Sequence, residues 1–227
     1  MTESTATRSF SQESFDAFLA TRNEPDWMTT RRREAWDMFQ KMEWPGRREE
    51  EWIRTDIRLF KLGKFEVPSP ADATEDLTAQ ALLAEGVELG GWSSSNCKFE
   101  LNEKWASKGV IFGSLDKLVG EHGDLIREYF LSKAVDPSKD RFAALHAAFW
   151  CGGHFLYVPK GVVVDEPLHA MSAMGDGNVD LGHTLAILEE GAEATFMTEN
   201  VSPSASAGGL HCGAIELFVA PGATCGL

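Results

Sequence analysis

Three segments with the same punctuation follow one another towards the C-terminal end of the sequence: YVPKGVVV from Tyr157, ILEEGAEA from Ile187 and FVAPGATC from Phe218. Their central glycines, Gly161, Gly191 and Gly222, are 30 and 31 residues apart, and a second glycine opens each unit at Gly153, Gly182 and Gly213. A self-similar period of about 20 to 50 residues marks units that cannot bury an apolar face alone and must stack on their neighbours. Each unit reads as strand, tight glycine turn, strand, with no helical spacing, so the expected stack is a parallel β-helix. After the turn, Val162, Val164, Ala192, Ala194, Phe196, Ala223 and Cys225 alternate with Val163, Glu193, Thr195 and Thr224. The first set should point inward. By that phase Cys225 takes the place of Val164 and Ala194, as a small core residue.

The rest of the chain has a different character. All seven tryptophans lie at or before Trp150, Lys160 is the only Lys or Arg after it, and 12 of the 21 glycines fall behind it. The expected organisation is a helix-rich region with a few short strands over 1–150 and the first rungs of the β-helix over 151–227. Phe15, Phe18 and Leu19 mark a short helix. A longer one should start with Pro25 in its first turn and end before Pro45 and Gly46, burying Trp27, Met28, Arg31, Ala35, Met38, Phe39 and Met42. Leu77, Ala81 and Leu82 suggest another helix, as do Leu125, Ile126, Tyr129 and Phe130, and then Phe142, Leu145, His146 and Phe149, ended by Gly152 and Gly153. Gly63–Ala73 reads as a loop, with short strands at Cys97–Leu101 and Val110–Phe112.

Composition and motifs remove several functions. A net charge of −14 repels phosphate backbones and argues against nucleic acid. No apolar run is long enough for a membrane span and the start lacks a secretory h-region, so a soluble cytoplasmic protein is expected. No phosphate loop, dinucleotide fingerprint, HExxH or GxSxG is present. Cys97, Cys151, Cys212 and Cys225 are too scattered for a metal knuckle or a disulfide framework. His211 and Cys212 are adjacent soft ligands, but neighbours on a strand point to opposite faces. His146 on its apolar helix face and Cys151 beside two glycines read as packing residues. No catalytic, cofactor-binding or metal residue is assigned. The run RREEEWIRTDIRLF from Arg47 reads as a solvated charged turn anchored by Trp52, with Thr55 offered as a cap ahead of Arg58.

That run, together with FAALHAAFWCGGHFLYVPKGVVVDEPL from Phe142, resembles the SufD branch of the SufB/SufD family of iron–sulfur cluster assembly proteins. NEPDWMTTRRREAWDMFQKMEWP from Asn23 is similar to the family's N-terminal helix, RREEEWIRTD to its SufD-type RxEEWRYTD element, and GAIELFVAPGAT from Gly213 to a Glu-containing β-helix strand. Ile53 and Arg54 depart from the Arg and Tyr common there, and His183 from an Arg often seen before TL. The resemblance implies an α+β fold: an N-terminal helical region, then a right-handed parallel β-helix, here truncated, with the C-terminal helical region absent beyond Leu227. It also implies a non-catalytic scaffold that pairs with a SufB-like subunit and docks a SufC-like ATPase through the absent region. The complex handles an iron–sulfur cluster and has been associated with reduced flavin; none is expected on this stretch. The alternatives are a β-helix carbohydrate-active enzyme, using Glu189, Glu190, Glu193 and Glu199, and a pure interaction solenoid.

Overall fold

The computed structural model describes residues 9–68, 86–89, 97–99, 101–174, 177–201 and 208–227; for 86–89, 97–99, 173 and 201 only the backbone is considered. The helix expected around Leu77–Leu82 lies outside them. Helix α1 (Gln12–Ala20) begins where Ser11 accepts from the Ser14 N–H, and buries Phe15 and Phe18. Helix α2 (Asp26–Lys41) follows Pro25, which stands one place earlier than expected, as the extended N-cap with ψ 150°. The buried stripe of α2 is Met28, Arg32, Ala35, Trp36 and Phe39. Met28, Ala35 and Phe39 were expected; Arg32 and Trp36 replace Arg31 and Met38 at its centre. Arg32 does so because it finds polar partners inside, as shown below, and Trp36 because its ring stacks on Phe15 and Phe39 while its Nε1 donates outward to Gln12 Oε1 at 2.7 Å.

Short 3₁₀ turns at Glu50–Trp52, Ile57–Leu59 and Leu62–Lys64 fold the charged run. Asp56 rather than Thr55 caps the second, its carboxylate accepting from the Arg58 N–H, since the turn begins at Ile57 and Asp56 is the residue just before it. Trp52 does anchor the run, stacked on Phe142 at 5.2 Å. Helices α3 (Glu103–Ala106), α4 (Leu115–Glu121), α5 (Gly123–Tyr129) and α6 (Arg141–Phe149) complete the helical layer. Asp140 caps α6 through the Phe142 and Ala143 N–H groups. The helix ends at Trp150, whose backbone turns extended; Gly152 and Gly153, with φ of 74° and 104°, redirect the chain rather than stop the helix.

The strands are β1 (Gly86–Leu89), β2 (Cys97–Phe99), β3 (Ile111–Ser114), β4 (His154–Val158), β5 (Leu168–Ala173), β6 (Val179–Asp180), β7 (His183–Leu188), β8 (Glu193–Val201), β9 (Leu210–His211), β10 (Ala214–Val219) and β11 (Thr224–Gly226). They form sheets ordered β11-β8-β5-β1-β2, β10-β7-β4-β3 and β6-β9. Pairing is parallel throughout the glycine-punctuated part and advances by one repeat per strand. Phe155 lies opposite Leu185 and Leu185 opposite Glu216, while Leu168 lies opposite Phe196 and Ala194 opposite Cys225. The first 150 residues contribute too: β3 adds antiparallel to β4, and β1, which has no clear alternating pattern, adds parallel to β5.

The stacked glycines explain why the repeat has its punctuation. Gly161, Gly191 and Gly222 have φ of 69°, 67° and 73°, a left-handed conformation open to glycine at little cost. They lie in a row: a Cβ built on Gly191 would be 4.0 Å from the Gly161 Cα, and one on Gly222 3.9 Å from the Gly191 N. The Gly161 N–H donates to Glu190 O and the Gly191 N–H to Pro221 O.

The expected phase is observed after these corners. Val164, Ala192, Ala194 and Phe196 are buried, Glu193 and Thr195 exposed. These residues join Leu156, Val158, Ala186, Leu188, Leu168 and Ala170 in a core linking the two parallel sheets. A second core packs α1, α2, α4, α5 and α6 on the opposite face of β4 and β7, through Phe15, Trp36, Phe149, Phe155, Leu185 and Ile187. The molecule is thus a mixed α+β structure of N-terminal helices laid on parallel sheets. Two corners test this account. Gly161 has open space around it and pays only for its φ, so Gly161→Ala should cost about 1–2 kcal/mol; at Gly153 a Cβ would fall 1.9 Å from His183 O, so Gly153→Ala should cost several-fold more in urea denaturation. Equal losses would contradict this packing.

Candidate functional site

Strand β7 carries polar groups on both faces at its start. His183 faces the helices and Thr184 the interior between the sheets, and both are buried. On the helical side, His146 of α6 reaches His183: His146 Nε2 and His183 Nδ1 are 2.9 Å apart. His146 Nδ1 lies 2.8 Å from the Cys212 carbonyl, and His183 Nε2 lies 3.1 Å from Glu216 Oε2. Glu216, on β10, is fully buried and accepts from the Leu131 N–H at 2.6 Å and the Val135 N–H at 3.0 Å. Burial would raise its carboxyl, but the His183 contact and the two backbone donors outweigh this and hold it below the usual range. Burial, with the neighbouring His183, drives the His146 pKa down to about 3, so this ring is neutral.

On the interior side, a cavity of about 160 Å³ is lined by His154, Ser172, Thr184, Thr198, Asn200 and the pair Asp180–His211. Asp180 is buried; its Oδ1 accepts from the Gly182 N–H at 2.9 Å and its Oδ2 lies 2.7 Å from His211 Nδ1. His211 is half-exposed, and the hydrogen bond to Asp180 raises its pKa over the opposing effect of burial. A carboxylate-oriented imidazole at the mouth of a polar cavity can exchange protons with a small solute. The cavity falls below the roughly 300–1,000 Å³ of pockets that enclose a drug-sized ligand, and none of its lining residues is Phe, Tyr or Trp, so it does not fit a flavin.

His211 and Cys212 do turn to opposite sides, although β9 ends at His211 and Cys212 lies just past it. His211 meets Asp180, while the Cys212 thiol turns to the helical core, 3.8 Å from Phe142 O. Burial pushes the Cys212 thiol up to about 12 and that of Cys151 well above the ordinary value, which suppresses the reactive thiolate. Cys225 packs against the inter-sheet core. Among the described residues no group of three or more His, Cys, Asp and Glu side chains is arranged to hold a metal ion, and no helix is long and apolar enough to cross a membrane. Sequence reasoning read His146 as a buried packing residue and missed Glu216 and Asp180. The repeat held a signal for Glu216: stepping back one period puts it in phase with Leu185 and Phe155, two core positions.

The fold is one of helices packed on in-register parallel sheets, with a buried polar chain on the helical side of β7 and a small polar cavity on the other. Residues 94–170 match the family model described as the SufBD protein N-terminal region. The chain is 32% identical over 212 residues to an iron–sulfur cluster assembly SufBD family protein of Staphylococcus epidermidis, covering 87% of this chain and 45% of that protein. It is 33% identical over 126 residues to the iron–sulfur cluster assembly protein SufB of Bacillus subtilis, covering 55% and 27%. The chain belongs to the SufBD family and spans a little under half the length of the first of these relatives.

The Asp180–His211 pair gives a direct test. Because the raised His211 pKa comes from Asp180, Asp180→Asn should bring it down towards about 6.5 in an NMR titration, with the Gly182 contact kept by the amide oxygen. The sign for stability follows: a group whose pKa is raised on folding stabilises fully below about pH 6.5 and ceases to do so as pH rises through its folded value. An unchanged titration in the variant would remove Asp180 as the cause.

Proposed function

We propose that this chain is the N-terminal part of a SufD-type scaffold subunit of an iron–sulfur cluster assembly complex. Its parallel sheets are the first turns of a right-handed parallel β-helix, which pairs with a SufB-like β-helix and works with a SufC-like ATPase. The cluster is the cargo of that complex, not a resident group of this stretch. The observation that carries the reading is the match to iron–sulfur cluster assembly proteins over 87% of the chain, running through the helical layer and the stacked sheets alike. The SufD branch rests on the resemblance of the charged element from Arg47; in the fold that element closes into a compact turn in which Asp56 bridges Arg47 at 3.0 Å and Arg58 at 2.7 Å.

Two of the four glutamates that a carbohydrate-active enzyme would use, Glu190 and Glu199, are held in pairs along the stack. Glu190 pairs with Lys160 at 2.8 Å and Glu199 with His169 at 3.2 Å. Both pairs are exposed and join residues exactly one repeat apart, the ladder that stacking alone produces. A cytoplasmic scaffold accords with the acidic surface and with thiols kept protonated by burial.

Affinity purification of the full-length protein from its own cells should recover an ATPase and a second SufBD-family chain in stable proportion. Recovery of neither, together with polysaccharide cleavage by the purified protein, would overturn the scaffold reading in favour of the enzyme.

A further inference from the structure

Each hydrogen bond places one proton between two heavy atoms. The buried chain on the helical side of β7 contains three such contacts in series: Cys212 O to His146 Nδ1, His146 Nε2 to His183 Nδ1, and His183 Nε2 to Glu216 Oε2. Its two ends are a carbonyl and a carboxylate, which supply no proton when Glu216 is ionised. Filling all three contacts therefore takes three protons. Two neutral imidazoles bring one each. Whatever their tautomers, the state with both rings neutral and Glu216 ionised leaves one contact in which two lone pairs face each other within 3.1 Å. We propose that the His146–His183–Glu216 chain retains a third proton at neutral pH, forming a charge-balanced latch that ties helix α6 and the loop at 131–135 to strands β7 and β10.

The surroundings place that proton between His183 and Glu216. Burial already keeps His146 neutral. For His183 burial outweighs the opposing pull of Glu216 and lowers its pKa, which by itself would empty the ring. Emptying it, however, both breaks a contact and leaves the buried Glu216 charge with only the Leu131 and Val135 N–H groups to balance it in a dry site, at a cost of several kcal/mol. The site is dry because the rings of Phe130, at 4.3 Å, and Trp150, at 6.4 Å, flank His183. Other charges also bear on the chain: Arg32 of α2 and His211 of β9 act on His146, and Arg31 of α2 on Glu216. Arg31 favours an ionised Glu216, while Arg32 opposes a charge on His146, so the third proton lies in the contact between His183 and Glu216.

The latch has a mechanical partner. Leu131 has φ of 49°, the one described non-glycine residue in the left-handed region, and its N–H is held by Glu216 Oε2. Losing the third proton would weaken the anchor of this strained residue.

The pH dependence separates the two states. Between about pH 4.3 and 6.5 the unfolded chain holds protons on both histidines while the latch holds one extra, so its contribution to stability rises with pH. Above about pH 6.5 the unfolded histidines are neutral and the latch still holds its proton, so the contribution falls. Without a third proton it would be flat there.

The direct test is NMR on the intact protein at pH 7.5, with ¹⁵N-histidine and ¹³C-glutamate labels, assigned by single His146→Asn and His183→Asn variants. Three protons are expected: a singly protonated His146 with its proton on Nδ1, and either a doubly protonated His183 or, equivalently for the count, a neutral Glu216. Two singly protonated rings beside an ionised Glu216 would overturn the proposal. As a second measurement, His211→Asn removes the competing imidazole. In that background the folding equilibrium should fall by up to about tenfold per pH unit above pH 6.5. Glu216→Gln added to it should flatten the profile, because an amide N–H now fills the third contact, at the expense of the Leu131 bond. A profile already flat before Glu216→Gln would also sink the latch.

Discussion

Strand β7 is buried on both faces over its whole length, His183 through Leu188, and the architecture is arranged around covering it. Parallel strands flanked on either side need both faces shielded, and they read as continuous apolar runs rather than alternating ones. Here β4 and β10 take its edges, the helices cover Leu185 and Ile187, and the second sheet covers Ala186 and Leu188. The glycine corners follow from this, since each repeat must reverse direction without a side chain and return in register on the one before. The polar groups at the start of β7 follow as well. Once His183 and Thr184 are enclosed, water is no longer a partner, and buried polar atoms must be matched from within.

The helical layer is fixed to the sheets by charge as well as by packing. Arg32, fully buried, donates to Glu24 at 2.8 Å and to the Ala148 and Trp150 carbonyls at 3.2 and 2.9 Å, so it satisfies the open end of α6. Arg22 pairs with Asp116, which in turn accepts from the Gly152 N–H at 2.9 Å. Glu24 touches both arginines. The cluster joins the α1–α2 connection, α2, α4 and the glycine bend after α6. Removing one partner from such a buried set strands the others at about 3–5 kcal/mol, whereas the intact set adds little net stability. Its role is to specify how α6 and the bend meet, and with that where β4 begins.

What was legible in the sequence was whatever depends on local geometry. The left-handed corners demanded glycine, so Gly161, Gly191 and Gly222 announced the repeat, and the alternation after them announced the inner face. The periodic apolar positions announced α1, α2, α5 and α6. Arg32 escaped because a charged residue in an apolar stripe is counted against burial, and only the carbonyls of α6, more than a hundred residues on, reverse that judgement. Strand β1 escaped because its partner β5 is remote and its residues carry no alternation. The cap at Asp56 and the bend at Gly152 differ from expectation by one or two residues, the scale on which competing side chains decide a boundary. Of the site, His146 was placed correctly in the core, but its partners lie on β7 and β10, and only the stacking register brings them together.

That register also sorts the polar residues by what they can do. His183 and Glu216 sit in the phase of Leu185 and Phe155, which turns them to the helices, out of solvent and into fixed partners. Thr184, Thr198 and Asn200 take the opposite phase and line a cavity whose mouth carries the half-exposed His211. One strand thus divides a dry chain, in which protons are held, from a wetter pocket, in which they can be exchanged. A substitution that shifted β7 by a single residue would swap the two sets, sending His183 into the cavity and Thr184 against Phe130. No partial version of that slip is available, because successive side chains on a strand alternate strictly between faces. The corners at Gly153 and Gly182 therefore guard more than a turn: by holding the register they keep Glu216 beside a proton donor rather than against the inter-sheet core.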